Sequence, residues 1–486
     1  MCRETTGWRI FWWGWNCLLP QLLLAQLTPS PAAPPPAPPG DSIVIADIHV
    51  EGDRRTRSSV VYREMSIRKG MRLSREQFDL ELEKSYSTLM NTGLFTRAEI
   101  SHSDTLYGPG REVVRVDLRE TWYIYPVPTF ELADRNFNVW WRDQNRSLER
   151  VNVGAGLNYY NFTGRRDRLK AGFTTGYTRE VDLGYRLPYV NRAGSIGINL
   201  NYSYRRQREQ NYLTLDNEQQ FYNTDDNDFV YRASAASVAV TYRKALFVSH
   251  EFELGYRNSF IADTIARELN PNFFGGGRRS QQFFRAVYTF RDDHRDVRKY
   301  PWRGSYFRAT VRKEGLGITG ERSGLVVDGS YSKFIPLGEN YSLNFGAGAK
   351  YSLIRSRQPF LENRAIGFGD NALVGYQFYV VDGLDMAIWR IGLRRELYQT
   401  EIDLGKLAFI PAFRQIPIRV LLSTQWNQGI TNAPFAEESN RLNNILLSGA
   451  AVGLDVVLYF DMVFGVQYNR NHLGEGGIFL NLNLNF

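Results

Sequence analysis

Cysteine is nearly missing from these 486 residues: Cys2 and Cys17 are the two present, both close to the N-terminus. The chain beyond them can hold neither a disulfide framework nor a cysteine nucleophile. Histidine is scarce as well. His49, His102, His250, His294 and His472 stand far apart, with no ligand spacing. Asp292-Asp293-His294-Arg295-Asp296 reads as a solvated turn, and Asp225, Asp226 and Asp228 are a weak candidate for a loop cation. A Gly-x-Ser-x-Gly elbow and a phosphate-binding loop are both missing, so neither enzyme chemistry nor a cofactor is expected. No run of about 20 apolar residues follows the extreme N-terminus, which excludes a bundle of transmembrane helices. Charge of one sign is not concentrated either. Lys and Arg number 59 against 51 Asp and Glu, and the excess of +8 forms no basic tail, so no nucleic-acid partner is expected.

What is abundant is aromatic and small. The chain holds 30 Phe, 28 Tyr, 10 Trp and 42 Gly, spread along its length, which argues against disorder. Low mean hydropathy (-0.38) beside so many aromatics suits a transmembrane β-barrel, where only alternate residues meet lipid.

Residues 1–25 read as a signal peptide, with Arg3 and Arg9 ahead of a short Trp-rich apolar stretch broken by Asn16 and Pro20. A retained anchor is the competing reading, weakened by that shortness and the internal proline. Residues 26–42 form a Pro-rich linker of extended, polyproline character. Residues 43–121 then change to soluble patterning. Strands are expected at Ile43–Val50, Leu94–Ser103 and Glu112–Glu120, and helices at Ser58–Ser66 and from Ser74, where Gln77 completes a capping box. The order is β-α-α-β-β.

Period-two segments dominate from about Phe130, within a second domain taken as 122–486. Phe252, Leu254 and Tyr256 oppose Glu251, Glu253 and Gly255; Trp389, Ile391 and Leu393 oppose Arg390, Gly392 and Arg394. At the C-terminus Ile478, Leu480, Leu482, Leu484 and Phe486 oppose Asn481, Asn483 and Asn485. Lipid on one side and water on the other would require this division. Sixteen strands are expected, the first at 133–141 and the last at 478–486, with longer connections near 207–229, 260–279, 352–383 and 428–443. The fold class is therefore mainly β: a 16-stranded antiparallel transmembrane barrel behind one small β-α-α-β-β domain.

Several of these segments resemble a known family. Ile48-His-Val-Glu-Gly-Asp-Arg-Arg-Thr56 and Asn91-Thr-Gly-Leu-Phe-Thr-Arg-Ala-Glu-Ile100 resemble the polypeptide-transport-associated (POTRA) domain of Omp85-superfamily proteins. The segment from Ile366 to Gly383, with Gly367, Gly369, Val374, Gly375, Tyr376 and Asp382, resembles the sixth extracellular loop of those barrels, which folds back into the lumen at about 352–383. Val374 stands where the family carries an arginine that reaches an acidic wall site, and a valine can make no such bond. Arg364 and Asp455 are candidate substitutes as loop anchors.

The resemblance implies a BamA-like or surface-antigen protein of the bacterial outer membrane, with its N-terminal domain in the periplasm. Its terminal strand, carrying Phe486, is similar to the family's assembly signal. It implies an assembly and insertion factor that works through a weak lateral seam, where Gly476 and Gly477 permit a bend, and through periplasmic client docking. A zipped barrel end with glycines in an ordinary turn is the competing reading of that seam. Expected partners are outer-membrane lipids, unfolded outer-membrane protein clients and periplasmic or lipoprotein accessory subunits. Two alternatives stay open: a specialised translocation or scaffold component, and a passive porin.

Overall fold

The computed structural model describes residues 42–483, except 53–54, 105–109, 192, 225–227, 244, 246, 298–299, 320–321, 404, 406–414 and 459–462. The leader, most of the linker, Asp225, Asp226, Leu484 and Phe486 therefore lie outside the described residues.

The smaller unit builds on a four-stranded sheet. Ser42–Glu51 pairs in parallel with Arg111–Glu120, which neighbours Phe95–Ser103. Its core includes Ile45, Ile48, Phe78, Leu89, Val114 and Val116. The helix Arg75–Met90 starts at the expected capping box, with Ser74 and Gln77 each accepting a hydrogen bond from the other's backbone N–H. A fourth strand, Arg72–Ser74, pairs antiparallel with the first, so the order is β-α-β-α-β-β. Three residues are too few to leave a periodicity in sequence.

The larger unit is an antiparallel sheet of sixteen strands, in chain order from Ile124–Leu132 to Gly476–Asn483. The four long connections follow the fifth, seventh, eleventh and thirteenth strands. In an antiparallel sheet all four must leave the same end.

Burial inverts the usual order of a soluble protein. In the strand Val463–Asn471, Phe464, Val466 and Tyr468 are exposed, while Gln467, Asn469 and Asn471 are buried. Elsewhere Phe252 is 57% exposed and Leu254 64%, whereas the opposite face holds Arg285 on Glu253 at 2.8 Å and Arg291 on Glu251 at 3.2 Å. Large apolar side chains stand on one face of the sheet and hydrogen-bonded polar ones on the other.

One strand differs from the sequence expectation. Residues 137–142 form a short helix, not the first strand, and the first strand is Ile124–Leu132. Asn136 explains the helix: its side chain caps the Val139 N–H at 2.9 Å. Pro126 and Pro128 mask this strand in the sequence, since proline is confined to sheet edges and bulges.

Candidate functional site

The connection between Tyr341–Ser352 and Asp385–Asp403 lies against the polar face of the sheet, and its backbone must find partners there. Little of the loop is regular: Arg364–Ile366 pairs with Val381–Asp382, and two short 3-10 turns flank Gly367. Cationic side chains from elsewhere supply much of the rest. Lys350, on the eleventh strand, gives its ammonium to the carbonyls of Glu362 (3.0 Å), Arg364 (2.9 Å) and Gly383 (3.1 Å). Arg390, on the twelfth, reaches the carbonyls of Asp370 (2.6 Å) and Ala372 (3.1 Å). Arg135 reaches those of Gly367 (3.4 Å), Phe378 and Tyr379 (2.8 Å). Three buried or half-buried cations thus serve eight loop carbonyls, and charge-assisted bonds of this type are the strong ones. Burial pulls the Arg135 guanidinium down to about 10.

Apolar contacts fix the same loop. Ala365, Ile366, Leu373, Tyr376 and Val381 pack with Met386, Ile388, Leu442 and Leu447. Glycines make the approach close enough. A Cβ on Gly429 would sit 2.8 Å from Leu373 and 2.9 Å from Ile366, and one on Gly449 would strike the Val374 carbonyl. Gly375 has φ +81°, and a Cβ there would press 3.0 Å from Asn471, whose amide donates to the Gly375 carbonyl at 2.9 Å. The Tyr376 hydroxyl meets His472 and donates to the Ser448 carbonyl at 3.1 Å. Tyr379 donates to Glu475 at 2.8 Å, its phenol pushed up to about 12 by burial first and by that carboxylate second.

The expected site residues fall into two groups. Gly367, Gly375 and Tyr376 lie at the loop's tightest approaches, and Gly369 opens a 3-10 turn with φ +52°. Val374 is buried. The Asp382 carbonyl accepts from Asn443 at 2.8 Å, and Gly383 lies where a Cβ would meet Thr431 at 2.9 Å. Arg364 and Asp455 have separate partners: the Arg364 guanidinium lies 4.7 Å over Phe368, and the Asp455 carboxylate takes the Tyr300 hydroxyl. Gly476 and Gly477 begin the last strand in register with Arg470 and Asn469. Sequence reasoning missed Arg135, Asn136, Asn217 and Asn138. Nothing in their periodicity marks them, because each acts through a contact with a distant segment.

A second long connection bonds to the loop. It carries a hairpin, Glu209–Leu215 with Glu218–Asn223, whose tip residues Asp216 and Asn217 have φ of +52° and +61°. Asn217 is buried. It exchanges bonds with Val380 (2.7 and 3.2 Å), accepts from Leu442 N–H at 2.9 Å, and meets Asn440 at 2.7 Å and Asn443 at 2.8 Å.

The short helix after the first strand reaches the last strand. Asn138 donates to the Leu480 carbonyl at 3.3 Å and accepts from the Leu480 N–H at 3.0 Å. Phe378 of the loop lies between Arg142, whose guanidinium is 3.2 Å from its ring centre, and Phe479 of the last strand, 5.3 Å centre to centre.

Residues 43–120 match the family model described as POTRA, surface antigen variable number repeat. Among solved structures, BamA from Haemophilus ducreyi lacking POTRA domains 1–3 has a TM-score of 0.55 at 15% identity, covering 90% of this chain and 83% of that one. CdiB from Escherichia coli gives 0.58 at 13%, covering 90% and 76%, and CdiB from Acinetobacter baumannii 0.51 at 12%, covering 90% and 74%. No curated protein matches the chain in sequence. The likeness is one of fold: a domain that matches POTRA, followed by a large β domain folded like those of BamA and CdiB.

Proposed function

We propose that the sixteen strands close into a barrel in a bacterial outer membrane, with the POTRA domain in the periplasm, and that the protein assembles or inserts outer-membrane proteins there. One observation carries the reading most. The outward face of the sheet is apolar, while the polar face is filled by the chain's own loop, held at eight carbonyls by Lys350, Arg390 and Arg135. A passive pore has no need of an interior filled and pinned in this way. In place of the family's loop arginine reaching an acidic wall, cations outside the loop reach the loop backbone, so Val374 leaves the anchor in place with its direction reversed.

Assembly of this type needs no covalent chemistry. A client strand with unpaired backbone groups is stabilised by an edge that can pair with it while the surrounding lipid is disturbed. The seam between first and last strands is the edge in question. Among the described residues no three His, Cys, Asp or Glu groups converge as metal ligands, and the mechanism calls for none.

Conditional depletion tests this directly. The abundance of outer-membrane proteins is measured before growth slows, and broad loss of unrelated barrels is expected. Loss of a single protein set, or of a surface lipid or secreted component alone, replaces general assembly with the specialised translocation reading.

A further inference from the structure

The seam between the sheet's ends has an asymmetry readable from backbone register. Tyr160 N–H donates to the Tyr123 carbonyl and Ala133 N–H to the Arg150 carbonyl, each at 2.8 Å, and the register between these points is unbroken. In an antiparallel pair one residue turns both its N–H and its C=O to the same side. Odd-numbered residues of the first strand therefore serve the second strand. Ile124, Pro126, Pro128, Phe130 and Leu132 face the seam. Proline has no N–H, so this edge lacks two of its five donors.

The facing edge can be read in the same way. Asn471 N–H donates to the Glu475 carbonyl at 2.9 Å, which assigns the odd-numbered residues of the last strand to its neighbour and turns Leu480 toward the seam. There the Leu480 N–H and C=O both bond to the side-chain amide of Asn138. One primary amide thus takes the place of one residue of an adjoining strand. The segment bearing Asn138 also grips the loop. Arg135 binds the Phe378 and Tyr379 carbonyls, Asn136 donates to the Gln377 carbonyl at 2.8 Å, and Arg142 covers Phe378.

We propose that residues 135–142 are a latch joining the loop to the seam. Asn138 covers the last strand's edge while Arg135 and Asn136 hold the loop, and release of the loop frees the latch and bares the edge for an incoming β-strand. The proposal rests on the assembly reading above for the identity of that strand. Asn138 is a positioning residue: it occupies the pairing site and takes no part in chemistry.

Hydrogen exchange at the Leu480 amide, in the full chain in lipid nanodiscs without a client, tests the latch apart from the assembly reading. Asn138→Ala removes both bonds and is expected to speed exchange roughly tenfold or more, given about 1 kcal/mol per bond. Arg135→Met leaves Asn138 in place but loosens the latch's grip on the loop, and the latch requires faster exchange at Leu480 there too. A Pro126→Val, Pro128→Val variant adds two N–H donors to the first strand's edge but no acceptor for the Leu480 N–H, so exchange there should stay unchanged; slower exchange would mean that strand pairing, not Asn138, protects Leu480 and would overturn the latch even if the other variants fail to fold. Unchanged exchange in Asn138→Ala overturns the latch, and a response to Asn138→Ala but not Arg135→Met overturns its coupling to the loop. If exchange responds as expected while depletion leaves other barrels intact, the latch stands and the assembly reading falls.

Discussion

Lys350 shows how much one side chain can hold. Its ammonium has three hydrogens and meets three carbonyls, so its donor capacity is fully used. Lys350→Met would leave three carbonyls without that partner at a cost of about 3 kcal/mol, since an orphaned buried polar group costs about 1–3 kcal/mol. The expected outcome is a lower temperature for the heat-induced mobility shift on gels, with faster proteolysis of the loop. Gly375 makes the complementary case. Gly375→Ala places a Cβ in left-handed backbone, costing about 1–2 kcal/mol, and presses it on Asn471. The same two assays should move in the same direction. Gly375 stands in the loop motif that the sequence marks, whereas the role of Lys350 is not legible there. Lys350 was one polar position on an alternating strand, and its carbonyl partners are twelve or more residues away.

Among elements, the strands were the legible part. Period two survives because the outward and inward environments differ so sharply, as in Val463–Asn471. The first strand was misplaced for a physical reason already visible in its role: prolines suited to an edge erase the signal of a strand. The aromatic run Phe137–Trp141 has high strand propensity, yet the Asn136 cap and the ring contacts of Phe137 with Trp140 and Trp141 make it a helix. The hairpin tipped by Asn217 has no signal of its own within the long connection near 207–229, because its partners lie in two other connections. Asn217→Ala should loosen three elements together. It loses the side-chain bonds to Val380, Leu442 and Asn443, and its left-handed backbone disfavours alanine by about 1 kcal/mol. Protease cleavage within both 208–230 and 433–446 is the expected outcome; cleavage in only one connection would mean that Asn217 does not join them.

For the whole molecule, a barrel of the proposed kind, with its own loop pinned against the polar face of the sixteen strands, should conduct poorly. In planar bilayers the intact protein is expected to be nearly silent, and deletion of residues 367–380 to give large, steady openings. Large steady openings from the intact protein would restore the porin reading. Composition and alternation carried the architecture this far because both report the solvent on each side of the sheet. The loop's anchors and the latch depend on which distant segments meet, which alternation along one strand cannot encode.

The bond between Asn138 and Leu480 spans 342 residues of sequence. If the barrel closes as proposed, the first strand waits during biogenesis for nearly the whole remaining chain before its far edge has a companion. A bare strand edge is a template for unwanted association throughout such a wait. Pro126 and Pro128 stand on that edge, so the residues that weaken the finished seam also guard the unfinished chain against pairing with the wrong neighbour.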